Sequence, residues 1–130
     1  MAHFILEYSA NLDGRIDFSD MFTAFHDYAV ASGVFPLAGI RSRAIRCADY
    51  RIADGREEYG FVHMTVKMGH GRDLETRREV AAKLFEILCG KMKVITDSGY
   101  CQISFELKEL EPELKFNKNN IHDLLKSEAK

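Results

Sequence analysis

Two kinds of group in this chain could act together as chemistry: an amine at the front of the sequence and arginines at positions 41, 43 and 72. The stretch Ala2-His3-Phe4-Ile5-Leu6-Glu7-Tyr8 alternates apolar and mixed positions and is rich in β-formers, so it predicts a strand that begins with almost nothing in front of it. A sheet would then anchor an α-amino group that most domains leave fraying in water. Such an amine has an unperturbed pKa of about 7.7 to 8.0, and modest desolvation or a nearby cation makes it a base at neutral pH. Arg41 and Arg43 flank Ser42 at the start of a strand that follows glycine, which puts both on one side of a sheet at about 7 Å spacing, a carboxylate-binding geometry. Arg72 follows Gly71 just before a helix start, where free backbone N–H groups and the helix dipole favour an anion and the guanidinium adds a bidentate fork. The chemistry these groups suit is proton transfer by an amine on a carboxylate-bearing substrate. The plainer alternative is an ordinary N-terminal strand with solvated surface arginines.

Other chemistries find little support. His3, His26, His63, His70 and His122 show no paired ligand spacing with carboxylate or cysteine, so no metal site is expected. His70, in the loop beside Arg72, could line a pocket, although an exposed loop side chain is the simpler role. There is no G-x-S-x-G, P-loop or dinucleotide glycine fingerprint, and no cofactor is implied. Tyr59-Gly60-Phe61-Val62-His63-Met64 partly matches an RNA-recognition signature. Glu57-Glu58 stand where a basic-Gly pair belongs and Met64 replaces the last aromatic, which argues against RNA. Eighteen basic and twenty acidic side chains give a net charge of −2, without the broad positive field that nucleic-acid binding needs. No signal-peptide pattern or membrane-length apolar run is present, so a soluble cytoplasmic protein is expected. Cys47, Cys89 and Cys101, odd in number and widely spaced, suit reduced, packed thiols.

The elements that must position the arginines and the amine follow from periodicity. The 130 residues, 46% hydrophobic, suit one domain, 1-130, with a single core. After the first strand, Asp17 or Ser19 caps a helix to about Ser32 with Phe18, Met21, Phe22, Phe25, Tyr28 and Ala29 as its apolar stripe, and Gly33 stops it. Ile40 to Ile52 reads as a second strand, and Tyr59 to Met68 as a third. A long helix opened by Asp73 then buries Val80, Ala81, Leu84, Phe85, Ile87, Leu88, Met92 and Ile95, with a bend or a packing reason expected at Gly90. Tyr100 to Leu110 is the fourth strand, and the tail 111-130 holds a short helical turn over Asn119 to Leu125 before a fraying charged end. The fold class is α+β. Two β-α-β halves, about 2-55 and 59-110, combine their parallel strand pairs into one four-stranded mixed sheet with both helices on one face. Apolar side chains expected on the other face argue for a homo-oligomer.

The chain also resembles a known family. His3-Phe4-Ile5, Phe35-Pro36-Leu37-Ala38-Gly39-Ile40-Arg41-Ser42-Arg43, Ala53-Asp54-Gly55, Phe61-Val62-His63-Met64-Thr65, Gly71-Arg72 with Leu74-Glu75, Ser104-Phe105-Glu106 and Asn119-Asn120 look like segments of the 5-carboxymethyl-2-hydroxymuconate Δ-isomerases. These belong to the tautomerase superfamily, which includes macrophage migration inhibitory factor. The resemblance implies a homotrimer with its sheets facing inward and an active site at the N-terminal amine, where Arg41 and Arg72 hold the carboxylates of a polycarboxylate substrate. It further implies a cofactor-free 1,3-proton shift in the breakdown of homoprotocatechuate. The family's base is an N-terminal proline, whereas this chain has Ala2, whose primary amine lacks the ring that fixes φ. Weakened catalysis is the expectation. The alternatives are a non-catalytic binder of organic anions, or a Schiff base between the amine and a 2-oxo acid.

Overall fold

A computed structural model describes residues 1–129; Lys130, the end of the charged tail, lies outside the described residues. Strand β1 (Ala2–Ser9) is an inner strand of a four-stranded sheet whose order is β2-β1-β3-β4, with β2 at Ile40–Cys47, β3 at Gly60–Met68 and β4 at Cys101–Glu109. β1 runs parallel to β2 and antiparallel to β3, and β3 runs parallel to β4. The first crossover is helix α1 (Phe18–Ala31) and the second is α2 (Leu74–Lys91) continued by α3 (Lys93–Ser98). The mixed sheet and its α+β class are those that the periodicity predicts.

Alternation along the strands sets the two faces. Ala2, Phe4, Leu6 and Tyr8 of β1 and Val62, Met64, Val66 and Met68 of β3 are buried beneath the helices, because successive Cβ atoms point to opposite sides of a sheet. Met21, Phe25 and Ala29 of α1 and Val80, Leu84 and Leu88 of α2 close this core. Phe4 lies at its centre, edge-on to Phe25, Phe35 and His26 at centroid distances of 6.3, 5.5 and 6.1 Å. By holding Phe35, it fixes the connector that runs from α1 into β2. Asp17 caps α1 by accepting from the Asp20 N–H at 3.0 Å, and Gly33 ends it at φ +74°, a conformation that favours glycine.

Several expectations change. β2 ends at Cys47 rather than Ile52, because its partner β1 ends at Ser9, opposite Cys47, and turns into the 3-10 segment Ala10–Leu12. The chain then folds back through Ala53 (φ 48°) and Gly55 (φ 86°), with the Gly55 N–H donating to the Ile52 carbonyl at 2.7 Å. The second helix breaks at Met92 rather than at Gly90, where an added Cβ would meet nothing within 4 Å. Phe85 leaves the buried stripe; it is 37% exposed and leans on Phe105 of β4 at 6.2 Å. The tail forms a longer helix than expected, α4 (Ile121–Glu128). The helix-free face of the sheet is also more polar than the sequence suggested. Ile5, Ile45 and Phe61 share it with His3, Glu7, Arg41, Arg43, His63, Lys67, Ser104, Glu106 and Lys108.

Candidate active site

The start of β1 opens into a cavity of about 170 Å³ whose walls include Met1 and Ala2, the connector residues Phe35, Pro36 and Gly39, and Arg72. Ala2 is 3% exposed and pairs with Ile40, so two neighbouring strands hold the front of the chain. Gly39 and the chain start approach closely: a Cβ on Gly39 would stand 3.2 Å from the Met1 nitrogen. In the 130-residue chain the free amine is carried by Met1, and the nitrogen of Ala2 is an amide. The amine is held below the ordinary value of 8.0, first by burial and then by the positive charges of Lys115 and Arg41. Each of these causes disfavours the ammonium form and makes the amine a better-populated base near neutrality.

Arg41 and Arg43 share the helix-free face, as alternation predicts, and bracket His3. His3 Nε2 lies 3.1 Å from Arg41 Nη1, and His3 Nδ1 lies 3.2 Å from Arg43 Nη1. A neutral imidazole accepts at one nitrogen only, so the ring can satisfy one guanidinium at a time. Burial and the charges of Arg41, Arg43 and Lys67 lower the His3 pKa and favour that neutral ring. Arg41 is near enough to act on the amine. Neither Arg41 nor Arg43, which lies on the far side of His3, is in the cavity wall.

Arg72 reaches the cavity from the loop between β3 and α2. Its guanidinium donates from Nη2 to the Val34 carbonyl at 3.4 Å and its own carbonyl accepts from Arg77 Nε at 3.1 Å, and among the described residues neither Arg41 nor Arg72 has an ion pair. The helix N-terminus behind Arg72 has one of its N–H groups taken by its own cap, Asp73, which accepts from the Thr76 N–H at 2.8 Å. Hydrogen bonding from the Thr76 side chain, and then from its backbone N–H, lowers the Asp73 pKa.

Sequence reasoning passed over two groups. Glu109, at the end of β4, lies 3.3 Å from His70 Nδ1 and 3.4 Å from Arg77 Nη1, and it accepts from the Gly71 N–H at 3.3 Å. One carboxylate therefore fixes the loop that presents Arg72, and His70 joins the cavity wall. Lys115 arrives from the tail, its Nζ 3.6 Å from where a Cβ on Gly69 would be. Neither could be found without knowing that β4 pairs with β3 and that the tail turns back.

Elsewhere the structure offers less. His63 contacts Ser104 Oγ at 2.6 Å and Glu106 Oε1 at 3.2 Å. This constellation lies on the sheet face and lines none of the described cavities. A cleft of about 360 Å³ at the opposite end of the sheet, among Ile52, Tyr59, Tyr100 and Cys101, has no charged group in its wall. Burial raises the thiol pKa of Cys89 and Cys101, which disfavours a reactive thiolate. Among the described residues there is no group of three or more His, Cys, Asp or Glu side chains that could hold a metal ion, and no helix is long and apolar enough to cross a membrane.

Comparison with known proteins shows the family. The family model described as 5-carboxymethyl-2-hydroxymuconate isomerase matches residues 2–125. The Escherichia coli 5-carboxymethyl-2-hydroxymuconate Delta-isomerase is 41% identical over 126 residues, covering 97% of this chain and 100% of the relative. A crystal structure of a 5-carboxymethyl-2-hydroxymuconate isomerase from Deinococcus radiodurans R1 superposes with a TM-score of 0.89 at 29% identity, covering 95% of this chain and 93% of that one. A fused 4-OT symmetric trimer, 18% identical, matches in fold with a TM-score of 0.65, over 85% of this chain and 88% of its own.

Proposed function

Because this chain belongs to the 5-carboxymethyl-2-hydroxymuconate isomerase family, we propose that it catalyses the cofactor-free 1,3-proton shift of 5-carboxymethyl-2-hydroxymuconate, or of a related unsaturated oxo-dicarboxylate, in homoprotocatechuate breakdown. It is an isomerase of the tautomerase superfamily. The observation that supports the substrate and site assignment is a buried chain start close to two arginines that lack ion pairs among the described residues: Ala2 and Arg72 share one cavity wall, and Arg41 lies outside that wall on the strand paired with β1.

In the proposed working form Met1 has been removed and the base is the primary amine of Ala2. Retention of Met1 would displace the amine by up to about 3.8 Å, well beyond productive placement for proton transfer. It would also leave Met1 in the wall of a cavity whose 170 Å³ is below the ~300–1,000 Å³ usual for ligand sites. The neutral amine accepts the hydroxyl proton of the substrate's dienol and becomes an ammonium. Arg41 and Arg72 hold carboxylates and offset the charge that develops on the dienolate. The ammonium returns the proton to a carbon, which leaves an unsaturated ketone and the original amine. Without a pyrrolidine ring to fix φ, the amine has more rotational freedom than the family's proline, and turnover is slower for that reason.

The helix-free face is proposed to pack against two further copies in a homotrimer, in which His3, Arg43 and Lys67 of one copy meet the acidic side chains of its neighbours. The test combines N-terminal mass analysis with an ultraviolet assay of the muconate and of phenylenolpyruvate. The des-Met1 form should turn over the muconate, and Ala2→Pro should be faster. A chain that is entirely des-Met1 and inert, in both alanine and proline versions, would overturn the proposal. A Schiff-base mechanism would show instead as a mass adduct after borohydride treatment with pyruvate.

A further inference from the structure

The tail between β4 and α4 is tied down on both sides of the active-site cavity. On one side the Leu110 N–H donates to the Met68 carbonyl at 2.7 Å. On the other, Asn119 Nδ2 donates to the Ala38 carbonyl at 2.7 Å, and α4 packs against the turn Leu37–Gly39. Met68 and Gly39 are themselves cavity walls. The intervening segment, residues 111–120, therefore runs as a strap from one lip of the cavity to the other, and Lys115 lies along it.

Lys115 is placed for the cavity. Its Nζ lies 3.6 Å from the Cβ position of Gly69, a lining residue, and it has no carboxylate partner among the described residues, although Glu111 and Glu113 are close in sequence. With Met1 in place, its charge and that of Arg41 lower the pKa of the leading amine. Three cations without an ion pair among the described residues thus surround the chain start: Arg72 in the cavity wall, Arg41 on the strand beside Ala2, and Lys115 against the lining residue Gly69. Two suffice for a dicarboxylate. By its name, 5-carboxymethyl-2-hydroxymuconate carries three carboxylates, two on the muconate and one on the side arm. The reading proposed above assigns partners to two of them only.

We propose that Lys115 is the third carboxylate-binding residue of this enzyme, presented by the C-terminal strap, and that it selects substrates with three carboxylates over those with two or one. This rests on the isomerase reading above. A lysine suits the position because its compact charge on a flexible stem can follow a mobile side arm, where an arginine fork would demand one orientation.

The experiment measures kcat/KM for three enols: 5-carboxymethyl-2-hydroxymuconate, 2-hydroxymuconate and phenylenolpyruvate, which carry three, two and one carboxylates. The proteins are the full des-Met1 chain and its Lys115→Ala, Lys115→Arg and Arg72→Ala variants. Lys115→Ala should lose about tenfold on the tricarboxylate, mostly in KM, and stay within about twofold on phenylenolpyruvate. Lys115→Arg should recover part of the loss, and the acidic limb of the Lys115→Ala pH profile should move to higher pH. Equal losses on all three enols, or none where Arg72→Ala is impaired, would overturn the role of Lys115 and leave the isomerase reading intact. An unsubstituted chain inert on every enol would remove both. Unchanged thermal unfolding of Lys115→Ala excludes a folding defect.

Discussion

Arg72→Ala should separate activity from stability. Arg72 is exposed and has no ion pair among the described residues, and its guanidinium makes one hydrogen bond of 3.4 Å to Val34. That is longer than the ~2.7–3.2 Å of a well-formed N–H···O contact. The loop that carries it is held by Glu109 through Gly71, His70 and Arg77 rather than by Arg72 itself. Truncation should therefore change unfolding free energy by no more than about 0.5 kcal/mol. A bidentate charge-assisted contact to a substrate carboxylate contributes about 1.5–3 kcal/mol, so kcat/KM should fall roughly 10- to 150-fold. Arg72→Lys should lie between, because it keeps the charge and loses the fork. The assay is loss of the dienol ultraviolet band at pH 7, with denaturant unfolding in parallel. A fall below about threefold, or one accompanied by a comparable loss of stability, would show that Arg72 does not hold substrate.

Burial, Lys115 and Arg41 lower the pKa of the Met1 amine from 8.0, and the Ala2 amine freed by removal of Met1, at a position only 3% exposed, should be shifted the same way; the acidic limb of kcat/KM should then lie below 8.0, a pH–rate profile checks it, and a limb at or above 8.0 would remove the electrostatic account. His26, half-buried against Phe4 and 2.8 Å from Ser42 Oγ, has its pKa lowered from 6.5 mainly by that partial burial. The unfolded chain takes up that proton first, so His26 contributes stability above about pH 6.5 that is lost as pH falls through the folded-state pKa, and His26→Gln should flatten denaturant midpoints between pH 7.5 and 5. Gly90→Ala should raise stability by up to about 0.5 kcal/mol, since the position is exposed in the last turn of α2 and a new Cβ meets nothing within 4 Å. A thermal melt suffices, and destabilisation would point to a constraint at Gly90 that the structure does not contain.

What could be read from the sequence was set by local periodicity. Phe4, Leu6 and Tyr8 mark a strand face, and Met21, Phe25 and Ala29 mark a helix stripe, because a period of two or 3.6 is imposed by the backbone itself. The paired projection of Arg41 and Arg43 followed from the same rule, and it is realised around His3. The end of β2 was not legible, since it depends on where β1 stops. Phe85 fits the helical stripe numerically but faces β4 near its outer edge, and only packing distinguishes the two. The helix terminus behind Arg72 carries its own cap, Asp73, a residue already named, which takes one of its N–H groups. Glu109 and Lys115 carry no local signal; they join the site through strand pairing and the return of the tail.

The two β-α-β units place their strands about an approximate dyad between β1 and β3, so each unit has an equivalent mouth at the head of its inner strand. At one lies Ala2, and at the other Gly60, beside the uncharged cleft. The second mouth has comparable geometry but an unbroken peptide running through it from Glu58 and Tyr59, and a peptide nitrogen is no base. A reaction that depends on a severed backbone can occur once per chain, however well the duplication is preserved. The repeated β-α-β arrangement supplies two scaffolds and only one leading amine, so on the proposed mechanism a genetic fusion at the front is the modification this enzyme should tolerate least.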